Sequence, residues 1–229
     1  MKSNCVRSRW WRRRSAARVV RRWISLGGTP AAARPVSIEH RGGTVEAPGN
    51  TLINFDTALR NGTDWIETDA WLSADGVPVI HHDETLFRIP NGTGLVFDKT
   101  LAELEQLDAG SWFGSAFAGT RIPTLAEALL TIRGRGQVLI EIKRIEYIPA
   151  VAQVIDAVGL PPADVITWIR LGTRMARLYK EAVPGSRVIL EVDYRFDRDE
   201  QEIWQRAEAG DHGLLAQYLT VDRRFVDLA

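Results

Sequence analysis

Short, β-branched apolar runs alternate with amphipathic helical runs along most of this chain, and no other feature narrows its fold so far. Val36–His40, Trp65–Leu72, Val77–His81, Val138–Ile142, Val165–Ile169 and Arg187–Val192 read as strands. Asn50–Asn61, Leu101–Leu107, Leu125–Ile132, Ile148–Val158 and Thr173–Val183 read as helices, the first with Leu52, Phe55, Ala58 and Leu59 on one face. Such alternation predicts parallel strands joined by crossover helices. Polar residues gather at the carboxyl ends of the strands: His40, Glu67 with Asp69, His82, and Glu141 with Lys143. A TIM barrel places its active site at that end. A doubly wound sheet would do likewise at its switch point, but no glycine-rich phosphate loop follows the first strand. The expected fold class is α/β, a TIM-type (β/α) barrel.

Asn91–Thr124 breaks the alternation. Rich in glycine, aromatic and polar residues, it lies between the third and fourth strands and reads as an insertion capping the barrel mouth. Glu200–Ala209 reads as a further helix, and Leu214–Thr220 is ambiguous.

A length of 229 residues suits one barrel domain. The formal net charge of zero conceals an asymmetry. Residues 1–35 carry ten Lys and Arg and no Asp or Glu, so the remaining chain has 19 basic against 29 acidic residues. An acidic body argues against nucleic-acid binding and suits a site that holds a cation. Cys5 is the single cysteine, which excludes a disulfide framework and a Cys-based zinc site. The Pro/Gly-rich stretch 27–35 marks a linker, so the chain divides into a basic leader (1–35) and a domain (36–229). Arg18, Arg21 and Arg22 interrupt the leader's only apolar core, which weakens a secretory or twin-arginine reading. A disordered leader is favoured over a surface-binding amphipathic helix making weak membrane contact, and a cytoplasmic location is expected.

Glu67 and Asp69, one residue apart in a strand, point to the same face, and Glu141 and Lys143 repeat the spacing. Three carboxylates in a barrel mouth make sense with a cation to hold them, and an all-oxygen set suits Mg²⁺ or Ca²⁺ rather than zinc. The competing reading is a solvent-facing pair on an edge strand. His40 and His82 follow strand-like runs, where two imidazoles flanking a phosphodiester serve as general base and general acid. Arg41 and Lys143 are placed to neutralise phosphate oxygens. His81 reads as packing, turned from the face of His82 by strand alternation.

His40-Arg41-Gly42, Glu67-Thr68-Asp69, His82-Asp83, Asn91-Gly92-Thr93-Gly94 and Glu141-Ile142-Lys143 occur in the order and spacing of the glycerophosphodiester phosphodiesterase family, which the chain resembles over about residues 36–145. Leu107–Gly114 and Arg121–Leu125 are similar to that family's insertion. The resemblance implies a TIM barrel with a small inserted subdomain, a divalent cation, and hydrolysis of a small-molecule glycerophosphodiester to glycerol 3-phosphate and an alcohol. By position it assigns Glu67, Asp69 and Glu141 to the metal, His40 and His82 to acid/base catalysis, and Arg41 and Lys143 to the phosphate. It also implies a route in which a neighbouring hydroxyl of the substrate attacks phosphorus and water opens the cyclic product.

The chain departs from that pattern in three places. Pro48-Gly49-Asn50-Thr51 replaces the family's Pro-Glu-Asn-Thr, removing a carboxylate for which Glu46 is a candidate substitute. Phe87-Arg88-Ile89-Pro90 is more apolar than the equivalent segment. The last two barrel strands are not evident before Ala229, which leaves open a fragment, a barrel completed by homo-oligomerisation, or a degenerate relative. The functions to separate are the glycerophosphodiesterase, a lysophospholipase-D-like phosphodiesterase, and an inactive binding remnant.

Overall fold

A computed structural model describes residues 36–169, 173–192 and 211–216. The basic leader with Cys5, the linker, the helix expected over Glu200–Ala209 and residues 217–229 lie outside that set. Six parallel strands form one sheet in the order β1 (Ile38–Glu39), β2 (Trp65–Leu72), β4 (Gln137–Ile142), β5 (Val165–Ile169), β6 (Arg187–Val192) and β7 (Asp211–Ala216). The helices between them are α1 (Leu52–Arg60), α3 (Leu125–Ile132), α4 (Ile148–Val158) and α5 (Thr173–Ala182). This is the α/β architecture of a partial TIM-type barrel among the described residues, six parallel strands where the complete architecture has eight.

One strand behaves differently from expectation. Val77–His81 was counted with the parallel strands, but β3 (Pro78–Ile80) pairs antiparallel with the end of β2, Ala70 opposite Ile80 and Leu72 opposite Pro78. The cause is the short connection: Ala74-Asp75-Gly76 leaves room for a tight turn, with Gly76 at φ 82°, and none for a crossover helix. β2 therefore pairs directly with β4, and the ambiguous run at Leu214 belongs in part to β7.

The helices begin where the sequence supplies caps. Thr124 opens α3 with a reciprocal capping box to Glu127, and Thr100 does the same with Glu103 for the short α2 (Leu101–Leu104) in the insertion. Gly159, at φ 69°, ends α4 in the left-handed conformation. Between helices and sheet lies the main core. Phe55, Leu125, Leu129, Ile132, Val151 and Ile155 meet Ile66, Ala70, Val138, Ile140, Val165 and Val188 of the strands, nearly all fully buried. A smaller cluster of Trp65, Leu139 and Ile166, backed by Val36 and Trp168, lies on the opposite, inner face of the sheet. It floors the barrel beneath the polar residues.

Candidate active site

Strand pairing brings the three carboxylates together. In the parallel register of β2 and β4, Asp69 lies directly beside Glu141, and Glu67 projects from the same face two residues earlier. One oxygen from each falls within 4.8 Å of the others, and the three residues are 0–4% exposed. This excludes the edge-strand reading, since β2 is an interior strand. Lys143, just past β4, reaches back so that Nζ is 2.6 Å from Asp69 Oδ1 and 2.9 Å from Glu141 Oε2.

Three buried acids against one lysine leave an excess of negative charge. Burial and the neighbouring Asp69 charge push the Glu67 carboxyl up to about 8. Burial also raises Glu141, against the pull of Lys143. Asp69 is held below the usual carboxylate range: burial opposes its ionisation, but the Lys143 ammonium and hydrogen bonds from Lys143 and Asn50 outweigh that cost. Glu67 Oε1 is buried and accepts no hydrogen bond among the described residues. An orphaned oxygen, a carboxyl that retains its proton for want of positive charge, and an all-oxygen donor set together fit a hard divalent cation.

The loop after β1 is shaped around this centre. Arg41 takes a left-handed backbone, φ 56°, and its amide N–H donates to Glu67 Oε2 at 2.8 Å. Asn50 is left-handed too, at φ 60°. Its Nδ2 donates to Asp69 Oδ2 at 2.7 Å, and its Oδ1 accepts from the Thr68 hydroxyl at 2.9 Å. Left-handed non-glycine residues cost roughly 1 kcal/mol or more each and cluster at functional sites. Asn54 of α1 ties the loop down by donating to the carbonyls of Arg41 and Gly43. Between these two carbonyls Gly42 is obligatory, because a Cβ there would lie 2.5 Å from the Phe55 ring.

The histidines flank the carboxylates at different depths. His40 is largely exposed, its Nε2 3.8 Å from Glu67 Oε2 and beyond hydrogen-bond reach. Partial burial and the Arg41 charge lower its pKa. His82 is half-buried with Nδ1 2.6 Å from Asp83 Oδ1, and Trp71 Nε1 donates to its carbonyl at 3.3 Å. His81 places Nε2 3.1 Å from the Thr85 carbonyl, but it lines the same cleft as His82 rather than turning from it, because β3 ends at Ile80 and strand alternation does not extend to these residues. That cleft, about 220 Å³, runs from Arg41, Asn50 and His82 past Asp83 and Arg88 to Trp112 and Ile122 of the insertion.

The candidate metal, phosphate and acid/base residues thus fall in one region, although His40, Lys143 and the three carboxylates do not line the cleft itself. Lys143 is spent on the carboxylates rather than facing open space, and Arg41 meets the site through its backbone as well as its guanidinium, whose Nε is 3.9 Å from Asp69. Glu46 does not stand in for the acid missing at Gly49. It accepts a hydrogen bond from Asn61 Nδ2 at 2.7 Å, on the far side of the loop. A side chain at Gly49 would instead meet the Arg41 Cβ and Thr44 methyl at 3.3 Å. Asn50 was missed, and its signal was a residue type that tolerates the left-handed region directly after a Pro-Gly pair.

Residues 40–159 match the Glycerophosphoryl diester phosphodiesterase family. Among curated relatives, a glycerophosphodiester phosphodiesterase of Caldanaerobacter subterraneus is 51% identical over 90 residues, covering 39% of this chain and 37% of its own. One of Bacillus subtilis is 34% identical over 137 residues, covering 56% of this chain and 47% of its own. The chain spans less than half the length of these relatives. Among solved structures, an Oleispira antarctica phosphodiesterase in complex with the product sn-glycerol-3-phosphate superposes with a TM-score of 0.74 at 32% identity, over 85% of this chain and 80% of that one. A glycerophosphodiester phosphodiesterase from Agrobacterium tumefaciens gives 0.63 at 31% identity, over 82% and 88%. Sequence motifs, barrel architecture and a match across more than half the chain all agree: this protein belongs to the glycerophosphoryl diester phosphodiesterase family.

Proposed function

We propose that the chain hydrolyses glycerophosphodiesters to glycerol 3-phosphate and an alcohol, using a divalent cation and two histidines. The observation that carries the reading is the convergence of Glu67, Asp69 and Glu141 against Arg41 and Asn50, which line a cleft together with His82. The Oleispira relative's bound product is the same glycerol 3-phosphate.

Glu67, Asp69 and Glu141 would hold Mg²⁺ or Ca²⁺, which when bound supplies positive charge to the phosphate oxygens. Arg41, at the junction of cleft and carboxylates, adds a guanidinium to the same oxygens, and Lys143 favours the ionised form of Asp69. One histidine takes the proton of the attacking hydroxyl as it bonds to phosphorus. The other gives a proton to the alcohol oxygen as its bond to phosphorus breaks, and the roles reverse when water opens the cyclic phosphate. The insertion walls the cleft with Ala109, Trp112 and Ile122 and so limits the access of bulk water.

Trp112, 54% exposed at this cleft, favours a second reading in which the glycerol carries an acyl chain, as in a lysophospholipid, and the product is the acylated glycerol phosphate. Purified protein with Mg²⁺ or Ca²⁺ should release glycerol 3-phosphate from glycerophosphocholine, lose that activity in chelator and lose it in His40→Ala. Faster turnover of lysophosphatidylcholine would favour the second reading. A folded sample that turns over neither would leave the chain a binding remnant of the family.

A further inference from the structure

The two candidate histidines are held in different ways, and the difference gives a role to two residues that the site has so far left without one. His40 Nε2 is 3.8 Å from its nearest carboxylate. His82 Nδ1 is 2.6 Å from Asp83 Oδ1, while the other oxygen of that carboxylate, Oδ2, is 2.9 Å from Arg88 Nε. All three residues line the same cleft.

A neutral imidazole carries one N–H, and the partner of one ring nitrogen decides which nitrogen has it. An ionised carboxylate only accepts, so Nδ1 carries the proton toward Asp83 and Nε2 is left for the cleft. Asp83 is short and adjacent to His82 in the chain, so alone it is free to turn to solvent. Arg88 removes that freedom by engaging the second oxygen. Arg88 is itself well anchored: Leu86 and Ile89 on either side are 0% and 3% exposed, and Leu86 N–H donates to the Gly94 carbonyl at 3.0 Å. Its side chain is 75% exposed, so an ion pair there adds little to folding stability.

We propose that Asp83 and Arg88 are positioning residues for His82, Asp83 fixing its Nδ1–H tautomer and Arg88 fixing Asp83, so that Nε2 faces the cleft ready to exchange a proton with substrate. What Nε2 meets there rests on the phosphodiesterase reading above; the tautomer does not.

The test has two readouts on the full chain. Long-range ¹⁵N–¹H correlation of the His82 ring at a pH of about 9, above the ordinary imidazole range, should show the proton on Nδ1 in the wild type. It should move to Nε2 in Asp83→Ala and become mixed in Arg88→Ala. Hydrolysis of glycerophosphocholine with Mg²⁺ should fall by about 10–100-fold in kcat for Asp83→Ala, with KM nearly unchanged. Arg88→Ala should lose less, and Arg88→Lys should recover most of that loss. A wild-type proton on Nε2, or an Asp83→Ala effect confined to KM, would overturn the proposal. If Asp83→Ala does not fold, the exposed Arg88→Ala decides the matter by the same two readouts. A folded wild type that turns over nothing fails the phosphodiesterase reading, and the tautomer measurement then decides the positioning claim alone.

Discussion

Along β2 and β4 the two faces of the sheet alternate residue by residue, equally buried and opposite in chemistry. Ile66 and Ala70, with Val138, Ile140 and Ile142, face the helices and are 0–2% exposed. Glu67, Asp69 and Glu141 face inward and are 0–4% exposed. Removing hydrocarbon from water stabilises the fold, at roughly 1.5–3 kcal/mol for a fully buried branched side chain. Removing carboxylates from water destabilises it unless countercharge is supplied. The helix face therefore holds the barrel together, and the inner face is a cost that the helix face offsets. The comparison teaches that degree of burial alone does not distinguish a core from a site.

That contrast can be broken or sharpened in four ways. Leu129→Ala, in α3 on the helix face, should lower unfolding free energy by about 2–5 kcal/mol in urea titration. The rate per folded molecule on glycerophosphocholine should hold. If the rate falls with stability, the faces are not separable. Glu67→Gln should do the reverse. Its carboxyl already keeps a proton near neutral pH in the cation-free protein, so stability should shift by less than about 1 kcal/mol, since the substitution replaces a neutral acid by a neutral amide of similar shape. Calorimetric Ca²⁺ or Mg²⁺ binding should disappear, and hydrolysis should drop by at least about 100-fold, because a lost ligand costs more than a lost supporting residue.

A smaller effect is expected at the capping box. Thr124→Ala should cost about 1 kcal/mol, leaving one helix end less well satisfied without touching the carboxylates. The smallest concerns acid. Although partial burial opposes its ionisation, Asp83 is held below the ordinary carboxylate range by His82 and Arg88. Its contribution is therefore fully present above the unfolded value and lost as pH falls through the lower folded one. Asp83→Asn should flatten the acid side of the stability–pH curve by well under 1 kcal/mol, as expected of a partly exposed pair.

Much of the fold was legible because periodicity survives in one dimension. The α1 stripe of Leu52, Phe55, Ala58 and Leu59 packs against the core as expected, Phe55 and Ala58 being buried outright. The strands from Trp65 to Val192 fall close to their expected bounds. The antiparallel direction of β3 was also legible, in the three-residue Ala74-Asp75-Gly76 connection too short for a crossover helix, but the alternation of strands and helices along the rest of the chain outweighed it. The fate of Glu46 was not legible, because its distance from the carboxylate cluster depends on which side of the β1–α1 loop it leaves.

Glu67, Asp69 and Glu141 mark the division most clearly. Residue types and the period of two place Glu67 and Asp69 on one strand face, and local motifs identify the family. That Asp69 stands beside Glu141, 72 positions later in the chain, is a matter of parallel register, which helix packing on the other face of the sheet selects. The left-handed turns at Arg41 and Asn50 likewise exist only once the chain is folded, because each is held by a partner on β2 that the tertiary structure, not the neighbouring sequence, supplies.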